Sequence, residues 1–345
     1  MTISSVKKST IIKAFRREPT DYTPVWLMRQ AGRYQSQYRQ IREKVDFLTL
    51  CKTPELASQV TVMAVEQLSV DAAIIFADIL LPIESLGLGL SFEKGEGPVI
   101  ERPICSSADI EALPLLESAE SLSFVFDAIK MTCRELSDRT PLIGFAGAPF
   151  TVASYAIEGG SSRSFEKTKQ LMWSEPEAWS MLMEKIVVFT AAYLKGQIKA
   201  GASALQLFDS WVGCLSLVDY DRFVAPHVRR LIDITGSEVP LIYFSTSTAG
   251  LNESIKTLGA DVIGIDWRMG LDQAWSQVGY DHAIQGNLDP LVLLSDKDEI
   301  RRQVKDILQR AGGRPGHVFN LGHGILPQTP VENARYLVEL VRELS

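Results

Sequence analysis

The sequence predicts an α/β protein, a single (β/α)8 TIM-type barrel over residues 1–345 with an inserted loop and helix region after the second strand. Three observations lead there. Eight short runs rich in β-branched and aromatic residues recur along the 345 residues, and most are followed by a helical pattern. Runs such as Ala72-Ala73-Ile74-Ile75-Phe76 are apolar throughout, as suits strands buried on both faces of a parallel sheet. No Gly-x-Gly-x-x-Gly follows the first run, which counts against the alternative, an open doubly wound sheet.

The strands read as Val25–Met28, Ala72–Phe76, Leu142–Ala146, Ala204–Phe208, Leu241–Phe244, Val262–Ile265, Ala283–Gln285 and Val318–Leu321. Thr53-Pro54-Glu55 opens a helix as an N-cap with proline in the first turn, and its apolar positions run to Leu68. Trp179, Leu182, Ile186, Val187, Phe189 and Leu194 recur at helical spacing within Glu175–Lys199. Further helices are expected at Val218–Thr235, Leu251–Leu258, Leu271–Val278, Lys297–Ala311 and Val331–Leu344. Gly95–Arg139 breaks the alternation and reads as the insertion, with Leu122–Cys133 its helical part. No repeat, low-complexity tract or linker divides the chain.

Composition narrows the function classes. Hydrophobic residues at 46% and charged ones at 22% describe a globular chain that needs no metal or disulfide to fold. Cys51, Cys105, Cys133 and Cys214 form no Cys-x-x-Cys pair and read as buried core thiols in a reducing compartment. No run is long enough to span a membrane, and the start, with Lys7, Lys8, Arg16 and Arg17, lacks the apolar core of a secretory signal. A cytoplasmic protein is expected. A net charge of −7 and a pI near 5.3 argue against nucleic acid as a partner, yet arginines inside a cleft still permit an anionic small molecule.

In a barrel of this kind, chemistry gathers just past the carboxyl ends of the strands. Arg29 and Arg33 follow the first run, Asp78 the second, and Gly147-Ala148-Pro149 and then Tyr155 the third. Asp209 and Ser210 end the fourth, Asp266 ends the sixth, Asn287 and Asp289 follow the seventh, and His323 follows the eighth. Arg29 and Arg33 are four apart and would share a face on a helical turn, as an anion clamp or as two surface ion-pairing residues. Asp78 leaves an apolar strand, so it either caps the next helix or awaits a cation or N–H donors. His323 sits between Gly322 and Gly324, which leave room for a ligand, whereas His227, His282 and His317 lie in helical or strand-edge contexts. Gly159-Gly160-Ser161-Ser162 after Tyr155 is a cover for a site or an ordinary turn. Phe76, Phe145 and Phe208 serve equally as barrel core or as the lining for a flat organic ligand. No two histidines have metal-ligand spacing, so no metal is expected.

Met28-Arg29-Gln30-Ala31-Gly32-Arg33-Tyr34 and Gly144-Phe145-Ala146-Gly147-Ala148-Pro149-Phe150-Thr151 resemble the two signature segments of the uroporphyrinogen decarboxylases. Leu205–Ser210, Gly264–Arg268, Gln285–Pro290 and Asn320–Pro327 follow in that family's order, so the resemblance covers nearly the whole chain. It implies a distorted barrel, often a homodimer, that works without metal or organic cofactor. It implies removal of carbon dioxide from the four acetate side chains of uroporphyrinogen III, giving coproporphyrinogen III for haem and related tetrapyrroles. Carried over by motif, Arg29 and Arg33 would bind substrate carboxylates, with Arg29 a candidate proton donor. Asp78 would accept hydrogen bonds from pyrrole N–H groups, and Tyr155, Ser210 and His323 would contact substrate side chains. One segment departs: Phe244-Ser245-Thr246-Ser247-Thr248-Ala249-Gly250 stands where many relatives resemble a Gly/Lys-containing turn, so no lysine serves there.

Two other readings compete. A methyltransferase on the same barrel would hold zinc through His and Cys at strand ends, where this chain lacks thiols. A non-enzymatic tetrapyrrole carrier would not require Arg29, Arg33, Asp78, Tyr155, Ser210 and His323 together.

Overall fold

Seven of the expected strands pair side by side in a computed structural model that describes residues 9–93, 97–137 and 140–345. They are β1 (Ala73–Ile74), β4 (Leu142–Gly147), β5 (Ala204–Asp209), β6 (Leu241–Ser245), β7 (Val262–Gly264), β8 (Ala283–Gln285) and β9 (His317–Val318). All pairs are parallel and the order follows the chain, β1-β4-β5-β6-β7-β8-β9. The sheet curls as in a TIM-type barrel, with helices packed on its outer face. β2 (Ser91–Glu93) and β3 (Gly97–Val99) form a separate antiparallel hairpin.

Register explains why the strand ends converge. Gly147, Phe208, Phe244, Gly264, Gln285 and Val318 are successive cross-strand partners, so they form one row on one face. That face is the interior. Trp26 Nε1 donates to Gln285 Oε1 at 2.9 Å, and Gln285 Nε2 donates to Gln206 Oε1 at 3.0 Å. These buried amides are satisfied by one another, which removes most of the cost of placing them in a core. Phe145, Phe208 and Phe244 pack edge to face in the same interior, at 5.5 and 5.8 Å between centroids.

The first expected strand, Val25–Met28, is not a strand. Only Val25 makes a bridge, to Phe319, although the segment lies between the sheet's two ends. Phe319 N–H donates to Pro24 O at 2.9 Å on one side, and Asp71 N–H donates to Val25 O at 2.9 Å on the other. The chain then turns at Met28–Arg29 instead of extending, because Met28 N–H is taken by the Asn320 side chain.

Helices with clear periodicity appear as read. Leu271–Val278, Lys297–Ala311 and Val331–Leu344 have the expected bounds, and Glu175–Lys199 becomes Pro176–Ala200. Val218–Thr235 splits into Leu217–Phe223 and Ala225–Thr235, because Pro226 has no N–H to continue the first helix. Leu251–Leu258 shrinks to a 3-10 turn and one helical turn, Asn252–Ile255. Thr53 precedes the helix Pro54–Leu68 without capping it: its hydroxyl donates back to Thr49 O at 2.7 Å.

Both limits of the expected insertion, Gly95 and Arg139, lie outside the described residues, as do Lys7 and Lys8. Between those limits the described chain holds β3 of the hairpin, whose partner β2 precedes Gly95, and the helices Ser107–Ala112 and Ser123–Leu136. Val99 bridges to Gly160, and Ile100 N–H donates to Gly159 O at 2.9 Å, so the hairpin docks on the Gly159–Gly160 turn. The thiols are a correction. Only Cys51 is buried; Cys105 is exposed, and Cys133 and Cys214 are partly covered, because each of these lies outside the interior of the sheet. No described helix is long and apolar enough to cross a membrane.

Candidate active site

Arg29 owes its place to its neighbours' backbone bonds. Leu27 N–H donates to Gln30 Oε1 and Gln30 Nε2 donates to Ala72 O, while Ile325 N–H donates to Met28 O at 2.9 Å. These bonds hold Arg29 at a φ of 59°, a left-handed conformation that costs a residue with a Cβ roughly 1 kcal/mol or more. No helix exists here; the next begins at Ser36. The Arg29 side chain runs across Gly324, where an added Cβ would stand 2.4 Å from Arg29 Cδ.

Around that guanidinium the structure gathers residues from beyond three strands. Asp78 follows β1 at the strand-end face and is partly exposed; burial raises its pKa, while the Leu80 N–H at 2.8 Å and the Arg29 charge oppose the rise. The Asp78 carboxylate accepts the Leu80 N–H, yet it does not cap the helix Leu81–Ser85. Tyr155 lies nearly two turns along the helix Pro149–Glu158, its hydroxyl pushed up to about 12 by burial and by Asp78. His323 is lowered to about 4, chiefly by burial and then by the charges of Arg29 and Arg268. Its imidazole is therefore neutral at physiological pH.

The other expected residues separate. Arg33 is exposed and lies near Tyr38, whose ring packs 5.7 Å from Phe76, and no helix links it to Arg29. The shared helical face expected for Arg29 and Arg33 is thus absent. Phe76 is half-buried against Tyr38 and Phe47. Phe145 is 7% exposed and Phe208 only partly covered, so the two rings border the interior and the cleft. Ser210 follows β5, and its carbonyl accepts the Thr246 hydroxyl at 2.7 Å. Asp289 lies apart, capping the turn Pro290–Leu294 through Leu291 N–H. Asn287 donates to Asp266 O and Met269 O, a bracing role.

The lysine-free segment after β6 ties three loops together. Thr246 holds Ser210, Ser245 and Thr248 share a hydrogen bond, and Ser247 N–H donates to Asp266 Oδ2 at 2.6 Å. Among the described residues, no three His, Cys, Asp or Glu side chains gather as metal ligands would. An open groove of about 1140 Å³ lies elsewhere, between the helices Leu271–Val278 and Lys297–Ala311. Its polar walls include Arg310, already paired with Asp272 and Asp306, and none of the strand-end groups reach it.

The family model for uroporphyrinogen decarboxylase matches residues 6–344. The chain belongs to the uroporphyrinogen decarboxylase family. A uroporphyrinogen decarboxylase from Carboxydothermus hydrogenoformans is 55% identical over 337 residues, covering 97% of this chain and 96% of its own. One from Sorangium cellulosum is 54% identical over 334 residues, covering 96% and 95%. Among solved structures, a methyltransferase from Methanosarcina mazei has a TM-score of 0.80 at 18% identity and covers 97% of this chain and 98% of its own. At that identity the likeness concerns the fold.

For a member of this family, two groups near the cleft stand out that the strand-end reading left without a site role. Arg268 closes the Gly264–Arg268 motif, and its position at a strand end was the available signal. Asp209 was legible as a strand-end carboxylate, but not its outward direction. It is fully buried, accepts Thr151 Oγ1 and the Tyr243 hydroxyl at 2.7 Å each, and has a pKa raised to about 6 by burial. Thr151 in turn accepts Trp211 N–H at 3.3 Å, and the Trp211 ring packs edge-on to Tyr155 at 5.3 Å.

A raised carboxyl pKa stabilises the fold below its unfolded value of roughly 4 and loses that contribution as pH rises through about 6. Two pKa units correspond to roughly 3 kcal/mol. Asp209→Asn can still accept from Thr151 and donate to Tyr243, so its stability relative to the wild type is expected to rise by about that amount between pH 4 and 7. Lowered histidines such as His317 act in the opposite sense over this window, but they cancel in the comparison. Denaturant unfolding of both proteins at each pH measures the difference; a gap that does not change with pH would show Asp209 ionised at little cost.

Proposed function

We propose that this chain decarboxylates the four acetate side chains of uroporphyrinogen III to give coproporphyrinogen III in tetrapyrrole biosynthesis. The observation that carries the reading is Asp78, a partly buried carboxylate just past β1 that interacts with Arg29 and Tyr155. Losing carbon dioxide leaves an electron pair on the acetate methylene, which needs a sink. A proton added to the pyrrole α-carbon next to the carbon that bears the acetate makes the ring cationic and places positive charge on the acetate-bearing carbon. The C–C bond then breaks, its electrons form an exocyclic C=CH2 bond, and carbon dioxide leaves. A proton delivered to that methylene and the loss of the ring-carbon proton give the methyl group, so each acetate consumes one proton overall.

In this proposal Asp78 accepts hydrogen bonds from the pyrrole N–H groups and stabilises the transient cation, an interaction strengthened where water is excluded. Arg29 and Arg33 hold carboxylate side chains and orient the ring, with Arg29, or a water bound to it, the candidate proton source. Tyr155, Ser210 and His323 contact substrate side chains, the neutral His323 as a hydrogen-bonding partner rather than a cation. Phe76, Phe145 and Phe208 offer apolar surface to the macrocycle. The reading includes one barrel domain closed by the Val25 segment, with the region after β1 inserted into it. It also includes a cytoplasmic homodimer that uses no cofactor.

Carbon dioxide release and coproporphyrinogen formation from chemically reduced uroporphyrinogen III, under anaerobic conditions, test the proposal. Turnover that survives exhaustive treatment with chelators is expected. An inert protein, or stoichiometric zinc whose removal abolishes turnover, would turn the reading towards the methyltransferase.

A further inference from the structure

Beside the proposed site stands a second cation, held by a device that the reaction as described does not use. Asp266, 8% exposed, follows β7 and receives three donors: Ser247 N–H at 2.6 Å, Arg268 N–H at 3.0 Å and Arg268 Nη1 at 2.6 Å. The Arg268 guanidinium also lies over the Trp267 ring, 4.2 Å from its centroid. Carboxylate and ring together fix the plane of the fork. Even so, the Arg268 side chain is 48% exposed. With one Nη1 contact made to Asp266, a guanidinium retains further N–H donors for a ligand.

Its position matters as much as its orientation. Gly322, directly before His323, packs so closely on this loop that an added Cβ would lie 2.6 Å from Trp267 N. His323 accordingly feels both Arg29 and Arg268. Two guanidinium groups thus act on one neutral imidazole, and Asp266, the carboxylate that His323 feels with them, is already occupied by its three donors. The exposed part of the Arg268 fork, with N–H donors that Asp266 does not use, suits an anionic ligand even in a chain of net charge −7.

We propose that Arg268 forms a carboxylate subsite, distinct from that of Arg29, which binds an acidic side chain of the tetrapyrrole that is not being decarboxylated. The inference rests on the proposed function and adds a specificity-determining residue to it. Asp266 and Trp267 pre-orient the fork, so that binding loses little side-chain entropy. Because the contact is present before and after carbon dioxide leaves, it strengthens ground state and transition state alike.

Arg268→Gln and Arg268→Lys, compared with the wild type, test this. Arg268→Gln is expected to raise KM for uroporphyrinogen on the order of 10-fold, with kcat changed less than about threefold. It also flattens the dependence of KM on ionic strength, a readout that a purely structural role would not move. Arg268→Lys keeps the charge and a partner for Asp266, so it retains the salt dependence, with a KM between the other two. Oxidised uroporphyrin, titrated by fluorescence quenching, reports binding without turnover and should follow the same order. A well-folded Arg268→Gln with wild-type KM, uroporphyrin affinity and salt dependence would overturn the subsite. So would variants that lose thermal stability and kcat while KM stays fixed, which would leave Arg268 only the task of bracing Asp266. If the wild type releases no carbon dioxide, the proposed function fails, and the uroporphyrin titration still decides the subsite.

Discussion

Asp78→Asn is expected to lose about 100- to 1000-fold in kcat and to unfold at a temperature equal to or above that of the wild type. The two effects share one cause. Burial raises the Asp78 pKa, so at neutral pH the fold bears the cost of keeping a carboxylate there. A group with a raised folded-state pKa contributes its stability at low pH and loses it as pH rises, so a neutral amide relieves that cost at pH 7 to 8. Asparagine also keeps an oxygen for the Leu80 N–H, and the local turn survives. It does not keep the negative charge that would stabilise a cationic pyrrole. Product formation measured beside thermal denaturation separates the two, and near-normal turnover in the variant would remove Asp78 from the mechanism. Lower activity with higher stability is the usual mark of a group retained for chemistry rather than for folding.

The second large effect comes from two glycines on either side of His323. An added methyl at Gly324 meets the Arg29 side chain first, at 2.4 Å from Cδ and 2.7 Å from Cγ. That chain can swing away, so Gly324→Ala should fold normally while displacing the guanidinium. A loss in kcat/KM of roughly 10- to 100-fold is expected, because a misplacement near 1 Å is costly when a charged group must be aligned. Gly322→Ala instead meets main chain, at 2.6 Å from Trp267 N and 3.0 Å from Asp266 C, together with the indole ring. Nothing there can rotate out of the way. Overpacking of this kind costs roughly 1–3 kcal/mol, and it should lower the unfolding temperature as well as the activity. Thermal denaturation therefore distinguishes the pair. Equal stability losses would mean that Arg29 is as rigidly held as the backbone beside Gly322.

Much of the scaffold was readable along the chain. The helix Lys297–Ala311 announces itself through Asp296 as N-cap, which accepts Glu299 N–H at 2.9 Å, and through Gly312 in the left-handed conformation after its last residue. Strands such as Ala204–Asp209 were legible because apolar side chains are needed on both faces of a sheet buried between helices and interior. The same local logic failed at Val25–Met28, which is apolar enough for a strand but is drawn into a turn by donors and acceptors from Ala72, Asn320 and Ile325.

Within the site, residue types and their positions after strands were enough to name Arg29, Asp78, Tyr155 and His323, because those features are local. Whether four-residue spacing meant a shared face was not local. It depended on the φ of Arg29, which contacts with residues nearly 300 positions away hold at 59°. Those contacts place Arg29 with Asp78 and His323 while leaving Arg33 beside Tyr38. Likewise Asp209 reads as a strand-end carboxylate, and only strand register turns it away from the interior, towards Thr151 and Tyr243. The order of apolar and polar residues specifies the elements and their chemistry, since it acts through periodicity and turn preference. The site takes its geometry from curling the sheet, because that step brings strand ends far apart in the chain together and sets which charges face each other.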